Sequence, residues 1–314
     1  MENLVFSVNA VLPVFLVMLL GYILRRREVL TQSFIDVAVT LVFYVSLPAK
    51  MFLDVAESDF FAILDGRYVL FLVCATAASF AAAWALGVAL VRDKGKIGAF
   101  AHCAFRGNFV YIGLPLVQNL LQAEAVPSTV LVVTFVVPLY NVLSVLLLSW
   151  YDPSGTRPSP RALAWQVLKN PMILAVLAAL PFSFLRLHIP YAAEKAVGYL
   201  GSLATPLALL FVGASINLHG FGRDKLGILA AALFKTAAQP LVCVAAAVWL
   251  GFNTEQIATV FVTMAVPTAL NAYIMTKKMG GDGEMCAGVI LASMLLSVIT
   301  LPGGIWLLRT LAVL

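Results

Sequence analysis

One stretch of ten residues combines side chains that could bind an anion with residues that interrupt a helix. Residues 106–115 read Arg-Gly-Asn-Phe-Val-Tyr-Ile-Gly-Leu-Pro within an otherwise apolar run. Residues 266–271, Val-Pro-Thr-Ala-Leu-Asn, lie at the corresponding place in the other half of the chain. Hydrocarbon offers no water to backbone groups, so an interrupted helix at membrane depth is tolerated mainly where it is buried in protein or lines a cavity. Two such breaks in matching positions predict the binding site of a transporter.

Arg106 is the charged residue of the first stretch, and its position at membrane depth costs about 2.5–3.5 kcal/mol on insertion scales. An ionisable residue in such a place is by default a functional hypothesis. The sequence leaves two roles open. The guanidinium could attract an anion, or it could cap carbonyl groups at the end of the first half-helix, where the helix dipole is negative. Gly107 follows it as a helix-loosening residue within the predicted site.

The residues that begin the second half-helices are suited to a carboxylate. Asn108 is a preferred N-cap residue, and its amide could also donate to a carboxylate. Pro267 and Thr268 take the equivalent place in the second stretch, since proline suits the first turn of a helix. If the two breaks cross, two positive helix ends converge on one point and favour an anion there. Asn271, one turn further on, could face the same point or serve in packing.

Three more polar residues are candidates for the site. Lys235 belongs to a polar stripe with Gln239 and could neutralise a substrate or satisfy the negative ends of half-helices, of which the second role is favoured. Lys50, just after Ser46, could reach water at the membrane boundary or form an entrance for anions. No Asp or Glu lies centrally in a predicted span, so the sequence shows no proton relay. Coupling to Na⁺ or H⁺ stays open.

The composition predicts an all-α polytopic membrane protein. Of 314 residues, 62% are hydrophobic and 11% are charged, against roughly 25% charged residues in soluble domains. The first apolar run lacks a preceding basic region and a clear cleavage site, so we predict a retained span. Ten apolar runs of spanning length lie at about 4–24, 34–53, 67–91, 97–121, 126–150, 163–185, 191–217, 226–250, 255–277 and 284–308.

The scattered histidines and cysteines argue against an enzyme. His102, His188 and His219 form no pattern with a nucleophile or a metal ligand. The four cysteines each stand alone in apolar surroundings, without the paired spacing of a metal site. We therefore expect neither catalysis nor a cofactor or metal, and we expect the cysteines to serve in packing.

The distribution of Lys and Arg orients the chain in the membrane. With the amino terminus outside, thirteen of these residues fall on inner connections and five on outer positions, while the outer connection after the second span is acidic. Both termini then lie outside a bacterial-type inner membrane, and the net charge of +5 gives no reason to expect nucleic acid as a partner. The inner residues are Arg25, Arg26, Arg27, Arg92, Lys94, Lys96, Arg157, Arg161, Lys169, Arg223, Lys225, Lys277 and Lys278.

A repeated spacing of prolines predicts an internal repeat. The pairs Pro13 with Pro48 and Pro171 with Pro206 are both 35 residues apart. Each half then holds five spans, and an odd number forces the second copy to enter the membrane upside down, as in transporters with inverted repeats. We expect one repeat over residues 1–150, a polar cytoplasmic linker over 151–162 and the second repeat over 163–314.

Five motifs give the chain a resemblance to a known family over its whole length. They are Tyr-Val-Ser-Leu-Pro-Ala (44–49), Arg-Gly-Asn-Phe-Val-Tyr-Ile-Gly-Leu-Pro-Leu (106–116), Phe-Val-Gly-Ala-Ser-Ile (211–216), Phe-Lys-Thr-Ala-Ala-Gln-Pro (234–240) and Ala-Val-Pro-Thr (265–268). The sequence resembles the auxin efflux carrier family. Its bacterial members include carriers assigned to malonate, and its plant relatives are the PIN-FORMED auxin exporters.

The resemblance implies ten helices in two inverted five-helix repeats. Broken helices 4 and 9 would cross between a scaffold part and a mobile transport part, usually in a homodimer, and elevator-like alternating access would follow. Asn108 matches the asparagine that contacts the auxin carboxylate in the plant proteins. The chain differs from them at Gly107, where they have proline, and it lacks their long central cytoplasmic loop.

These observations predict a secondary carrier for a small organic anion. Malonate or another dicarboxylate is the leading substrate, because a dianion needs more compensating charge and Arg106 supplies it. If Arg106 only caps a half-helix, an auxin-like or other monocarboxylate fits equally well. A membrane sensor that binds an anion without moving it is the alternative from another functional class.

Overall fold

The computed structural model describes residues 2–57, 64–122, 126–152, 168–215 and 224–314, together with residues 159, 161 and 165. Within this part of the chain the regular secondary structure is helical, and β pairing is limited to an isolated bridge between Gly107 and Thr268. Among the described residues, seven helices are long and apolar enough to cross a membrane: Glu2–Arg26, Gln32–Ala56, Gly66–Leu90, Pro127–Trp150, Tyr191–Ala214, Lys225–Trp249 and Gly283–Thr310. The architecture is that of a polytopic helical membrane protein.

The remaining helices are shorter, and four of them belong to two interrupted stretches. The first stretch consists of Lys94–Phe105 and Phe109–Leu121, and the second of Thr254–Ala265 and Asn271–Lys278. We call residues 106–108 the first break and residues 266–270 the second break. The other short apolar helix is Pro171–Leu185.

Some sequence predictions concern residues outside the described part of the chain. The predicted linker over 151–162 falls mostly there, as do the start of the sixth predicted span and the end of the seventh. Arg157 and Arg223 of the inner cationic set and Ile216 of the 211–216 motif also lie outside the described residues, as does the side chain of Lys278.

Four helices contain a wider, π-helical turn that ends two residues before a proline. The turns are Val42–Ser46, Phe109–Gly113, Val132–Val136 and Phe234–Ala238, and the prolines are Pro48, Pro115, Pro138 and Pro240. Proline has no N–H, and its ring clashes with the carbonyl four residues earlier. That carbonyl lies inside the π turn in each case, so the local widening accommodates the ring without ending the helix.

The helices Glu2–Arg26 and Tyr191–Ala214 pack at a contact that requires glycine on both sides. A Cβ atom built on Gly21 would overlap the Leu210 carbonyl, and one built on Gly213 would overlap the Met18 carbonyl. Small residues let helix backbones approach closely in membranes, where van der Waals packing replaces the hydrophobic drive for association. These two glycines therefore set the separation of the helices.

We expect Gly21→Ala to destabilise the protein by about 1–3 kcal/mol, because the added methyl group forces the two backbones apart. Gly303→Ala is the matched control, since a Cβ at Gly303 meets no atom within 4 Å. The thermal unfolding temperature of the detergent-purified variants checks this. Equal unfolding temperatures for Gly21→Ala and Gly303→Ala would contradict the close packing.

Candidate functional site

The two breaks cross and are joined through their backbones. The Asn108 amide donates to the Pro267 carbonyl at 2.8 Å, and the Ala269 amide donates to the Arg106 carbonyl at 3.2 Å. These two bonds form the antiparallel bridge between Gly107 and Thr268. An interrupted helix leaves amides and carbonyls without their usual partners, and a buried backbone group must find another. Here each break supplies partners for the other.

Thr268 secures the second break to its surroundings. Its hydroxyl donates to the Cys103 carbonyl at 2.7 Å, and its amide donates to the Ser293 hydroxyl at 3.1 Å. Thr268 is fully buried and lines neither of the cavities described below. Thr268 therefore fixes the position of the second break and does not form part of a cavity wall. Cys103 and Cys286 are both free and buried, and although they are far apart in the sequence they contact each other, with their sulfur atoms 2.7 Å apart.

A cavity of about 540 Å³ lies on one side of the crossing, and we call it the crossing cavity. Its polar lining comes from both breaks and from neighbouring helices. The polar side chains are those of Arg106, Asn108, Tyr111, Tyr140, Asn141, Asn170 and Asn271. The wall also contains residues at the start of both second half-helices, so the positive ends of two helices face the same space.

Arg106 places its guanidinium at this cavity among neutral acceptors. Nη2 donates to Asn141 Oδ1 at 2.7 Å, and Nη1 donates to Ser144 Oγ at 3.3 Å. Nη1 also lies 3.5 Å from the sulfur of Met275. Arg106 is 7% exposed, and among the described residues no carboxylate pairs with it. Its hydrogen bonds go to side chains rather than to the carbonyl groups that a capping role would require.

Asn108 lies beside it with an unused donor. The residue is 3% exposed, and within the described structure its Nδ2 has no hydrogen-bond partner. Buried polar side-chain atoms nearly always have a partner, so an unpaired amide nitrogen at a cavity wall is suited to an acceptor from a ligand. Asn271, at the start of the second half-helix of the second stretch, is exposed and lines the same cavity.

A larger cavity of about 940 Å³ adjoins the crossing cavity, and we call it the vestibule. The two cavities share Tyr111, Leu270, Asn271 and Ile274 in their walls. Polar residues at the vestibule include Arg25, which donates to Gln32 Oε1 at 3.2 Å, and Asp36, which accepts from Gln32 Nε2 at 2.9 Å. The wall of the vestibule thus extends from the residues shared with the crossing cavity to Arg25 and Arg26, at the end of the helix Glu2–Arg26.

Three predicted site residues lie elsewhere. Lys235 is fully buried behind the crossing, and its ammonium donates to the Met264 carbonyl and to Gln239 Oε1. Ser46 is buried and finds no partner for its hydroxyl among the described residues, and Lys50 lies 3.8 Å from Asp54 as an ion pair. None of the three lines either cavity. The structure thus brings Arg106, Gly107, Asn108 and Asn271 together, with Pro267 and Thr268 holding the backbone.

Reasoning from the sequence missed several polar residues of the site. Asn141 and Ser144 hold the guanidinium of Arg106, and Ser293 holds the second break. Asn141 follows Pro138 in an apolar run, so its polarity was a signal that could have drawn attention to it. The two serines carry no such signal, because their importance comes from the residues that they meet.

We expect Thr268→Val to destabilise the protein by about 1 kcal/mol, because it removes the hydrogen bond to the Cys103 carbonyl and leaves that carbonyl unpaired. Thr76→Val is the matched control, since Thr76 is equally buried and its hydroxyl has no partner among the described residues. Thermal unfolding of both variants in detergent checks this. A loss that is as large in Thr76→Val would contradict the role given to the hydroxyl of Thr268.

Comparison with known proteins places the chain among membrane transporters. A family model described as "Membrane transport protein" matches residues 6–305. A protein of Rhizobium meliloti (strain 1021) named "Putative malonate transporter" is 26% identical over 312 residues, which cover 96% of this chain and 95% of that protein. The Escherichia coli K12 protein named "Uncharacterized transporter YfdV" is 22% identical over 313 residues, covering 98% of this chain and 99% of that protein.

An archaeal protein extends the similarity. A Methanothermobacter thermautotrophicus protein named "Uncharacterized transporter" is 23% identical over 299 residues, or 94% of this chain and 96% of that protein. The matches run along nearly the whole chain, and they confirm the family predicted from the five motifs and the prediction that the chain is not an enzyme. The chain belongs to the membrane transport protein family, to which the auxin efflux carriers belong, and it is an integral membrane protein.

Proposed function

We propose that the protein is a secondary active transporter that binds a small organic anion in the crossing cavity. The observation that carries this proposal is that, within the described part of the chain, one cavity wall holds a buried guanidinium without a counter-ion and a buried amide nitrogen without an acceptor. Carboxylates meet both needs, because one at Arg106 brings negative charge and one at Asn108 brings an acceptor oxygen.

The surrounding charges favour an anion for a second reason. The starts of the second half-helices, Asn108-Phe109 and Leu270-Asn271, both line the crossing cavity. The positive end of a helix dipole stabilises a nearby anion by about 0.3–1 kcal/mol at exposed sites and by more when it is partly buried. A bound carboxylate would therefore gain from two helix ends in addition to the side chains.

We favour a dicarboxylate such as malonate as the substrate. One carboxylate would lie against Arg106 and the other against the amides of Asn108 and Asn271. A volume of about 540 Å³ suits a small ligand. The name of the Rhizobium relative supports the same class of substrate. The apolar residues Phe43, Val137 and Met279 in the wall favour a second candidate, a monocarboxylate with an apolar body.

Transport would follow from alternating access to the crossing cavity. We propose ten spans as two inverted repeats over residues 1–150 and 163–314, joined by the linker 151–162, with the breaks crossing near the middle of a bacterial-type inner membrane. Both termini would lie outside, so that the vestibule with Arg25 would open toward the cytoplasm. Elevator-like motion and a homodimer complete the proposal and rest on the family resemblance.

Uptake of labelled malonate into liposomes that contain the purified protein tests the function. We expect saturable uptake in the wild type. Asn108→Ala should raise the half-saturating concentration about tenfold to a hundredfold, because it removes a hydrogen bond to a charged group. Asn119→Ala is the control, because Asn119 lies in the half-helix that follows Asn108, lines neither cavity and donates to the Ala10 carbonyl instead. No uptake under any Na⁺ or pH gradient, with other acids also inert while anion binding persists, would favour a sensor.

Arg106→Gln distinguishes the two classes of substrate. If a dianion is bound as we propose, the variant loses more affinity for malonate than for a monocarboxylate of similar size. The guanidinium binds the second carboxylate of malonate, which a monocarboxylate lacks. Competition by both acids against labelled substrate measures this ratio in the wild type and in the variant. An equal loss for both acids would contradict the assignment of a dicarboxylate.

A further inference from the structure

One helix contacts the first half-helix of each interrupted stretch, at the carboxyl end that points into the crossing. Lys235, in the helix Lys225–Trp249, donates from its ammonium to the carbonyl of Met264, one residue before the end of Thr254–Ala265. Gln239, one turn later, donates from Nε2 to the carbonyl of Phe105 at 3.4 Å, and Phe105 is the last residue of Lys94–Phe105. The two side chains also bind each other, with Lys235 Nζ donating to Gln239 Oε1 at 3.2 Å.

The backbone of the first break approaches this pair closely. A Cβ atom built on Gly107 would lie 2.9 Å from the Thr263 carbonyl oxygen and 3.1 Å from Lys235 Nζ. Gly107 also lines the crossing cavity, whereas Lys235 and Gln239 do not. The first break therefore separates the ammonium from the crossing cavity. Lys235 lies behind the anion site and does not belong to its wall.

The ammonium thus lies where carbonyl oxygens gather. The last carbonyls of a helix have no partner within the helix and carry the negative end of its dipole. In transporters with broken helices, unwound carbonyls and the carboxyl ends of half-helices are the groups that hold a coupling Na⁺. Among the described residues, no carboxylate pairs with Lys235, so its charge is compensated by these neutral oxygens.

We propose that Lys235 is a built-in cation that takes the place of a coupling Na⁺ at the crossing, so that anion transport by this chain needs no Na⁺. The inference rests on the proposed transport function for its consequence. The cation site itself is a property of the fold and can be measured without transport. Gln239 is a positioning residue in this scheme, since it fixes the ammonium and holds the other half-helix.

Thermal unfolding of the purified protein in NaCl and in choline chloride of equal ionic strength tests the cation site. The wild type should unfold at the same temperature in both salts. Lys235→Ala should unfold at a lower temperature in choline chloride and recover part of the loss in a saturable way with Na⁺ or methylammonium, because a free cation can then reach the vacated oxygens. Lys195→Ala is the control, since its lysine is exposed with the ammonium over the Tyr191 ring, away from the crossing, and should show no cation-specific recovery.

For the wild type and Lys235→Ala, two unfolding results would overturn the proposal. One is a saturable Na⁺-specific stabilisation of the wild type, which would show that a separate Na⁺ site exists. The other is a Lys235→Ala protein that recovers with neither cation, which would make the lysine a packing residue. If Lys235→Ala does not fold, Lys235→Met keeps the side-chain volume and removes the charge. Stability of Lys235→Met equal to the wild type would likewise count against a required cation.

Transport measurements test whether anion uptake needs Na⁺. Malonate uptake by the wild type should proceed equally in Na⁺ and choline media, and a strict requirement for Na⁺ would overturn the proposal. If no acid is transported at all while the unfolding experiment gives the expected cation pattern, the proposed transport function fails and the built-in cation stands. If transport occurs and depends on Na⁺, the proposed transport function stands and the built-in cation fails.

Discussion

The structure depends on the pairing of two interrupted backbones inside a membrane protein. The bonds from Asn108 to Pro267 and from Ala269 to Arg106 satisfy groups that could not face lipid. Because each break completes the other, neither can be moved or straightened alone. The glycine at 107 is part of the same constraint, since a side chain there would meet the Thr263 carbonyl and the ammonium of Lys235.

The crossing also places the positive and the negative ends of the half-helices on opposite sides. The starts of the second half-helices, Arg106 and the free amide of Asn108 face the crossing cavity, which makes that side suited to an anion. The carboxyl ends of the first half-helices face the opposite side, where Lys235 and Gln239 meet their carbonyls. The helix ends that face the anion site are thus positive, and the negative helix ends are compensated on the other side by Lys235 and Gln239.

The sequence predicted the parts of this arrangement that local chemistry determines. Apolar runs, prolines and the polar breaks follow from the absence of water in the membrane, so the polytopic helical architecture and the cavity-lining residues Arg106, Asn108 and Asn271 could be predicted from the residues alone. The roles of Ser144, Ser293 and Gln239 could not, because they depend on which helices pack together. Ser46 and Lys50 are as polar as the residues that line the cavities. The helix that carries them, however, presents other residues to the cavities, such as Thr40 and Phe43.

The structure of the protein with malonate bound tests the central claim most directly. The account predicts density for the acid in the crossing cavity, with one carboxylate oxygen within hydrogen-bond distance of Asn108 Nδ2 and the other carboxylate at the guanidinium of Arg106. Density confined to the vestibule, with Asn108 Nδ2 unpaired and Arg106 still bound only to Asn141 and Ser144, would contradict it.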